Sequence, residues 1–224
     1  MLIPSSAKLS SIFCFVLSSS SKHEKSSIAT LYTWAKRCDR FYFVTKLQNT
    51  SVDFMMLENF QNIDMLENET VERTFDVLPT ISKDFSSYSW FLRATDETIV
   101  IMENLRKLVS RLDSYSSQLP IAYAGDVERM YKQHQMISNG AAILFNRQAL
   151  NQMIIAFANE DNTQVEKCKY DSINDYELIQ CLKMVAKIQF ANDLGIVKDN
   201  LFLSQTILTY KLNEQLQVRI SILP

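Results

Sequence analysis

Two hydrophobic patterns alternate along this chain. Short continuous apolar runs recur at Ser11 to Leu17, Phe41-Tyr42-Phe43-Val44, Trp90-Phe91-Leu92 and Pro120-Ile121-Ala122-Tyr123-Ala124. Runs of that length read as buried strands, with Pro120 at a first position, where proline is tolerated. Between them, apolar residues return at helical spacing. Ile28, Leu31, Tyr32 and Ala35 predict a helix from Glu24 to Arg37, and Ile99, Met102, Leu105 and Leu108 predict one from Ile99 to Leu112. Leu150, Met153, Ile154 and Phe157 mark a third from Arg147 to Asn159, and Asp175 to Val185 is the last strong helix. Val71 to Phe85 is also helical in pattern, with Pro79 expected to break or kink it. Strand, helix, strand in that order starts a parallel α/β sheet with right-handed crossovers. Ala141 to Phe145 is a further apolar run, Asn49 to Glu69 reads as a variable excursion, and the pattern weakens beyond Lys187. No internal repeat, linker or second domain is visible.

A chain of 224 residues that is 47% hydrophobic suits one α/β domain with a sizeable core. The net charge of -2 gives no polyanion-binding surface, so no nucleic-acid partner is expected. Only three glycines occur, Gly125, Gly140 and Gly195, which excludes a glycine-rich phosphate loop. Any nucleotide must be held by side chains or through a metal. The apolar run Ile12 to Leu17 is far shorter than the ~20 residues that span a bilayer. It has no basic leader and no cleavage site, so it reads as a first strand rather than a signal peptide.

The richest stretch is Trp90-Phe91-Leu92-Arg93-Ala94-Thr95-Asp96-Glu97-Thr98-Ile99-Val100, a buried strand that stops in an acidic cluster. Carboxylates at a strand end can hold a hard divalent cation, and the cation a nucleotide diphosphate. The competing structural role is a cap, with Thr95 starting the next helix and Asp96 and Glu97 in its first turn. The stretch resembles the W-F-L-K-A-D-D-D-T-Y-V motif of the core 1 β1,3-galactosyltransferases, a Fringe-like inverting family. The family's three acids stand here as Thr95-Asp96-Glu97. The resemblance covers roughly Ser11 to Leu203 and is specific from Trp90 to Leu150.

The resemblance implies a single GT-A-like α/β domain with a mostly parallel sheet over residues 11–203, after a tail at 1–10 and before one at 204–224. Asp96 and Glu97 would bind manganese on the diphosphate of UDP-galactose. Met136-Ile137-Ser138-Asn139-Gly140 resembles the family's M-S-G-G turn beside the sugars, so Ser138 and Asn139 would line the donor site. Ser172-Ile173-Asn174-Asp175 resembles the family's I-E-D segment. Asp175 would be the general base that takes the acceptor proton, a role compatible with capping its helix. The late histidine ligand of the family has no counterpart, because His23 and His134 both precede Cys181. Trp34 and Trp90 sit in apolar runs and read as core residues.

Four cysteines, Cys14, Cys38, Cys168 and Cys181, could be free core residues or paired. The resemblance implies the pairs Cys14–Cys38 and Cys168–Cys181. The sequons Asn49-Thr50-Ser51 and Asn68-Glu69-Thr70 also point to an oxidising lumen, and the resemblance implies that of the Golgi or endoplasmic reticulum. The family's membrane anchor precedes its first strand, and none is visible here. The expected activity is transfer of galactose to O-linked N-acetylgalactosamine of glycoproteins, with a homo- or hetero-oligomer including another galactosyltransferase as a possible assembly. The alternatives are a chaperone-like homologue that binds such a partner, and a fragment with neither activity.

Overall fold

Period-two alternation divides the apolar strand residues between the two sides of one sheet. On β1 (Ile12–Leu17), Ile12, Cys14 and Val16 enter one core, while Phe13, Phe15 and Leu17 enter the other. β3 (Trp90–Thr95) repeats the division, with Trp90, Leu92 and Ala94 on the first side and Phe91 on the second. Every residue of both strands is buried, as strands covered by helices on both faces must be. The computed structural model describes residues 10–18, 23–44, 70–96, 98–116, 119–125, 142–158, 162–170, 175–191, 193–194 and 202–204.

With β2 (Arg40–Val44), β5 (Ile121–Ala124), β6 (Ile143–Asn146) and β7 (Gln189–Phe190), the sheet runs β2-β1-β3-β6-β5-β7. β1 is parallel to β2 and β3, and β5 is parallel to β7. β6 alone is reversed, antiparallel to both β3 and β5. The expected mostly parallel sheet is therefore present. One face is covered by α1 (His23–Thr33), a short 3-10 turn at Ala35–Arg37 and α3 (Met102–Ser116). The other is covered by α2 (Thr70–Asp84), α4 (Arg147–Phe157), α5 (Thr163–Tyr170) and α6 (Asp175–Met184).

Three expectations change. The helix predicted from Ile99 begins at Met102, because Thr98–Val100 forms a short strand, β4. Three consecutive β-branched residues favour that choice. β4 pairs antiparallel with β8 (Phe202–Ser204), a strand in a region whose sequence pattern is weak. Of the break or kink expected at Pro79, the break is absent, because α2 is continuous across it. Its ring lies on the exposed side while Phe75, Val77, Leu78 and Ile81 are buried. α5 is an element that the sequence pattern does not announce.

Asn146 shows how tightly the elements are tied. Its Oδ1 accepts from Ala149 N at 2.8 Å, capping α4, and from Ile121 N at 3.1 Å. Its Nδ2 donates to Leu119 O at 2.8 Å, so one side chain ends β6, starts α4 and anchors β5. Both expected disulfides are present, with Cα separations of 6.2 Å for Cys14–Cys38 and 5.6 Å for Cys168–Cys181.

Candidate functional site

Because β1, β2 and β3 run parallel, the residues that follow them meet at one edge of the sheet, where ligands of α/β folds collect. Asp96 follows β3 directly, and its backbone N–H donates to Leu17 O, the last carbonyl of β1, at 3.2 Å. Ser18 follows β1, and its N–H donates to Val44 O at the end of β2 at 3.1 Å. The Ser18 hydroxyl then donates to Asp96 Oδ2 at 2.7 Å. From α1, the Thr30 hydroxyl approaches Asp96 O at 3.4 Å. Ser18 and Thr30 are buried, whereas Asp96 is half-buried at the mouth.

The turn itself is closed by Thr98. Its Oγ1 accepts from Thr95 N at 3.0 Å and lies 3.2 Å from Thr95 Oγ1. Its carbonyl accepts from Trp34 Nε1 at 2.9 Å. Thr95 therefore ends one strand and Thr98 starts another, so Asp96 sits in a strand-to-strand turn. The helix-cap alternative for Thr95 and Asp96 is set aside by α3 starting at Met102. Trp34 and Trp90 are core residues, as expected, each with its indole N–H satisfied: Trp90 Nε1 donates to Asp113 Oδ1 at 2.7 Å.

Glu97, Ser138 and Asn139 lie outside the described residues. Among the described residues, no three His, Cys, Asp or Glu side chains gather to hold a metal. The donor chemistry of Asp96 fits a hard cation nonetheless. Magnesium-like ions that arrive with a diphosphate are commonly held by one or two carboxylates, with phosphates and water completing the shell.

Asp175 is placed differently from a solvent-facing base. It opens α6, is fully buried, and forms an ion pair with Arg93 Nη1, whose side chain is also fully buried. Arg93 Nε donates to Thr74 Oγ1 on α2 at 3.1 Å. Arg93 stands three residues before Asp96 on the Phe91 side of β3, so Asp175 lies beneath the same sheet edge as the acidic turn. In this conformation no acceptor hydroxyl reaches it. Arg93 is the residue that the sequence reading missed. The signal was available, since a charged residue inside a wholly apolar strand requires a buried partner.

The architecture is a mostly parallel α/β sheet with helices on both faces and Asp96 in a turn at its carboxyl edge. The chain is distantly related to the core 1 β1,3-galactosyltransferases. Glycoprotein-N-acetylgalactosamine 3-beta-galactosyltransferase 1 of Xenopus laevis is 25% identical to it over 178 residues, 79% of this chain. The chain spans 46% of that relative's length. No family model matches. Among solved structures, a glycosyltransferase involved in the glycosylation of the major capsid of PBCV-1 overlays with a TM-score of 0.46 at 12% identity, covering 87% of this chain and 93% of that one. A cytidylyltransferase from Leptospira borgpetersenii serovar Hardjo-bovis (strain JB197) overlays at 0.44 with 9% identity, covering 81% and 74%.

Proposed function

We propose that this chain is an inverting glycosyltransferase domain that transfers galactose from UDP-galactose to O-linked N-acetylgalactosamine of glycoproteins. The observation that carries the reading is Asp96, held at the carboxyl edge by Ser18 and Leu17 in a turn between two strands. There Asp96, with Glu97, would hold the manganese that neutralises the leaving diphosphate. Ser138 and Asn139 would line the donor sugar. For Asp175 to take the acceptor proton, its contact with Arg93 must open, which makes a shift of the start of α6 a requirement of the reading. The two disulfides fit an oxidising compartment, and the Golgi lumen is where a transferase of this kind would meet its acceptors. Among the described residues no helix is long and apolar enough to cross a membrane.

The sealed Asp175–Arg93 pair favours a second reading, a non-catalytic homologue that binds a partner galactosyltransferase, as a homo- or hetero-oligomer. Transfer from radiolabelled UDP-galactose to an N-acetylgalactosamine-bearing peptide separates the two. The enzyme reading expects manganese-dependent product, abolished by Asp96→Ala and reduced at least 100-fold by Asp175→Asn at a temperature where circular dichroism shows that variant folded and its UDP affinity is kept. Absence of product together with retention of an unfolded galactosyltransferase client supports the second.

A further inference from the structure

The acidic turn depends on groups outside it. Ser18 is 1% exposed and Thr30 is 3% exposed, yet each spends its hydroxyl on Asp96. Ser18 is fixed in turn, since its own N–H is bonded to Val44 O at the end of β2. Its Oγ donates to one carboxylate oxygen, Oδ2, at 2.7 Å, a well-formed O–H···O distance. That bond restricts the Asp96 side chain to a narrow range of rotations about its Cβ–Cγ bond. The backbone of Asp96 is held separately by Leu17 O and by the Thr30 hydroxyl. Side chain and main chain are therefore steadied from two different elements, β1 and α1.

We infer that Ser18 is a positioning residue that aims the Asp96 carboxylate at the cation of a nucleoside diphosphate complex, with Thr30 steadying the turn behind it. The inference rests on the proposed reading of Asp96 as a cation ligand. Ser18 does not touch the ligand in this account and acts only through Asp96. Outer partners of metal-binding side chains typically change metal affinity by about 10–100-fold when removed. The effect belongs to the metal-dependent part of binding alone, because the uridine and the metal-free phosphates make no use of the carboxylate.

The test is calorimetric titration of the full chain with UDP, with and without manganese, in wild type, Ser18→Ala, Thr30→Val and Ser10→Ala. Ser10 is the control, a hydroxyl on a carboxylate at the opposite end of β1, donating to Asp113 Oδ2 at 2.8 Å. Ser18→Ala should reduce the manganese enhancement of UDP affinity about 10-fold and leave metal-free affinity unchanged. Thr30→Val, nearly isosteric, should act in the same direction and more weakly, and it decides the matter if Ser18→Ala does not fold. Ser10→Ala should match wild type. Wild-type enhancement in both Ser18→Ala and Thr30→Val would overturn the inference while leaving the reading of Asp96 intact. Equal loss with and without metal would also overturn it, since it would mean damage to the whole site. Absence of any manganese enhancement in wild type would instead overturn the reading of Asp96, and the inference with it.

Discussion

Replacing Asp175 with asparagine should cost this protein a large share of its stability. The substitution keeps the shape of the side chain and removes its charge, leaving the Arg93 guanidinium buried on the sheet face without its carboxylate partner, while its Nε still donates to the Thr74 hydroxyl. Both members of the pair are 0% exposed, so water cannot replace the lost carboxylate without opening the interface between β3 and α6. Removing one partner of a buried pair typically costs about 3–5 kcal/mol. Against a total stability of roughly 5–15 kcal/mol for a domain, that is about a fifth of the whole or more. Replacing both residues together, Arg93→Met with Asp175→Leu, removes the charge as well as its partner, and such exchanges are often neutral or stabilising. Urea denaturation followed by circular dichroism measures each variant. With a slope of about 2 kcal/mol/M, Asp175→Asn should lower the midpoint by roughly 2 M. The double variant should recover most of that loss. A single-variant shift below about 0.3 M, or a double variant as unstable as the sum of its parts, would refute the reasoning.

Three other substitutions test the local structure. Lys187 holds a positive φ of 54° just past α6, inside the turn closed by Ile188 N donating back to Leu182 O at 3.1 Å, so Lys187→Gly should stabilise. A gain of about 1 kcal/mol would raise the melting temperature by about 2–4 °C, and no rise would contradict the left-handed assignment. Pro79→Ala should lengthen no element but restore an N–H inside α2. The expected gain is about 1–2 kcal/mol in urea midpoint analysis, after the looser unfolded chain is allowed for, and a loss would mean that Pro79 shapes a bend the packing needs. Serine replacement of the Cys168–Cys181 pair, sequence separation 13, should cost about 3 kcal/mol by the same assay, with an unchanged midpoint counting against the bridge.

Much of the sheet was legible because its strands are short, apolar and flanked by clear helical periodicity. Ile12–Leu17 and Trp90–Thr95 alternate so regularly that both cores follow from residue parity alone. The start of α3 was misplaced because Ile99 fits a helical stripe with Met102 and Leu105 as well as it fits a strand. Only the pairing of Thr98–Val100 with Phe202–Ser204, about a hundred residues away in sequence, decides between them. α5 was missed because Thr163–Tyr170 buries little beyond Val165 and Cys168. At the site, Asp96 was visible from its motif and stands at the expected edge, but its dependence on Ser18 was not. A serine in a Ser-rich turn gives no sign of which carboxylate it will meet. Asp175 was visible by resemblance, while its burial against Arg93 arises from the packing of α6 on the sheet.

The central claim is that Asp96 at the end of β3 holds a cation for a nucleotide diphosphate. The most direct measurement is the thermal unfolding of wild type and Asp96→Ala across a titration of UDP with manganese. At ligand concentrations 100 times the dissociation constant, wild type should gain about 2.7 kcal/mol of stability, and Asp96→Ala should gain none that depends on the metal. Equal, metal-independent stabilisation of both proteins, or no stabilisation of either, would contradict it.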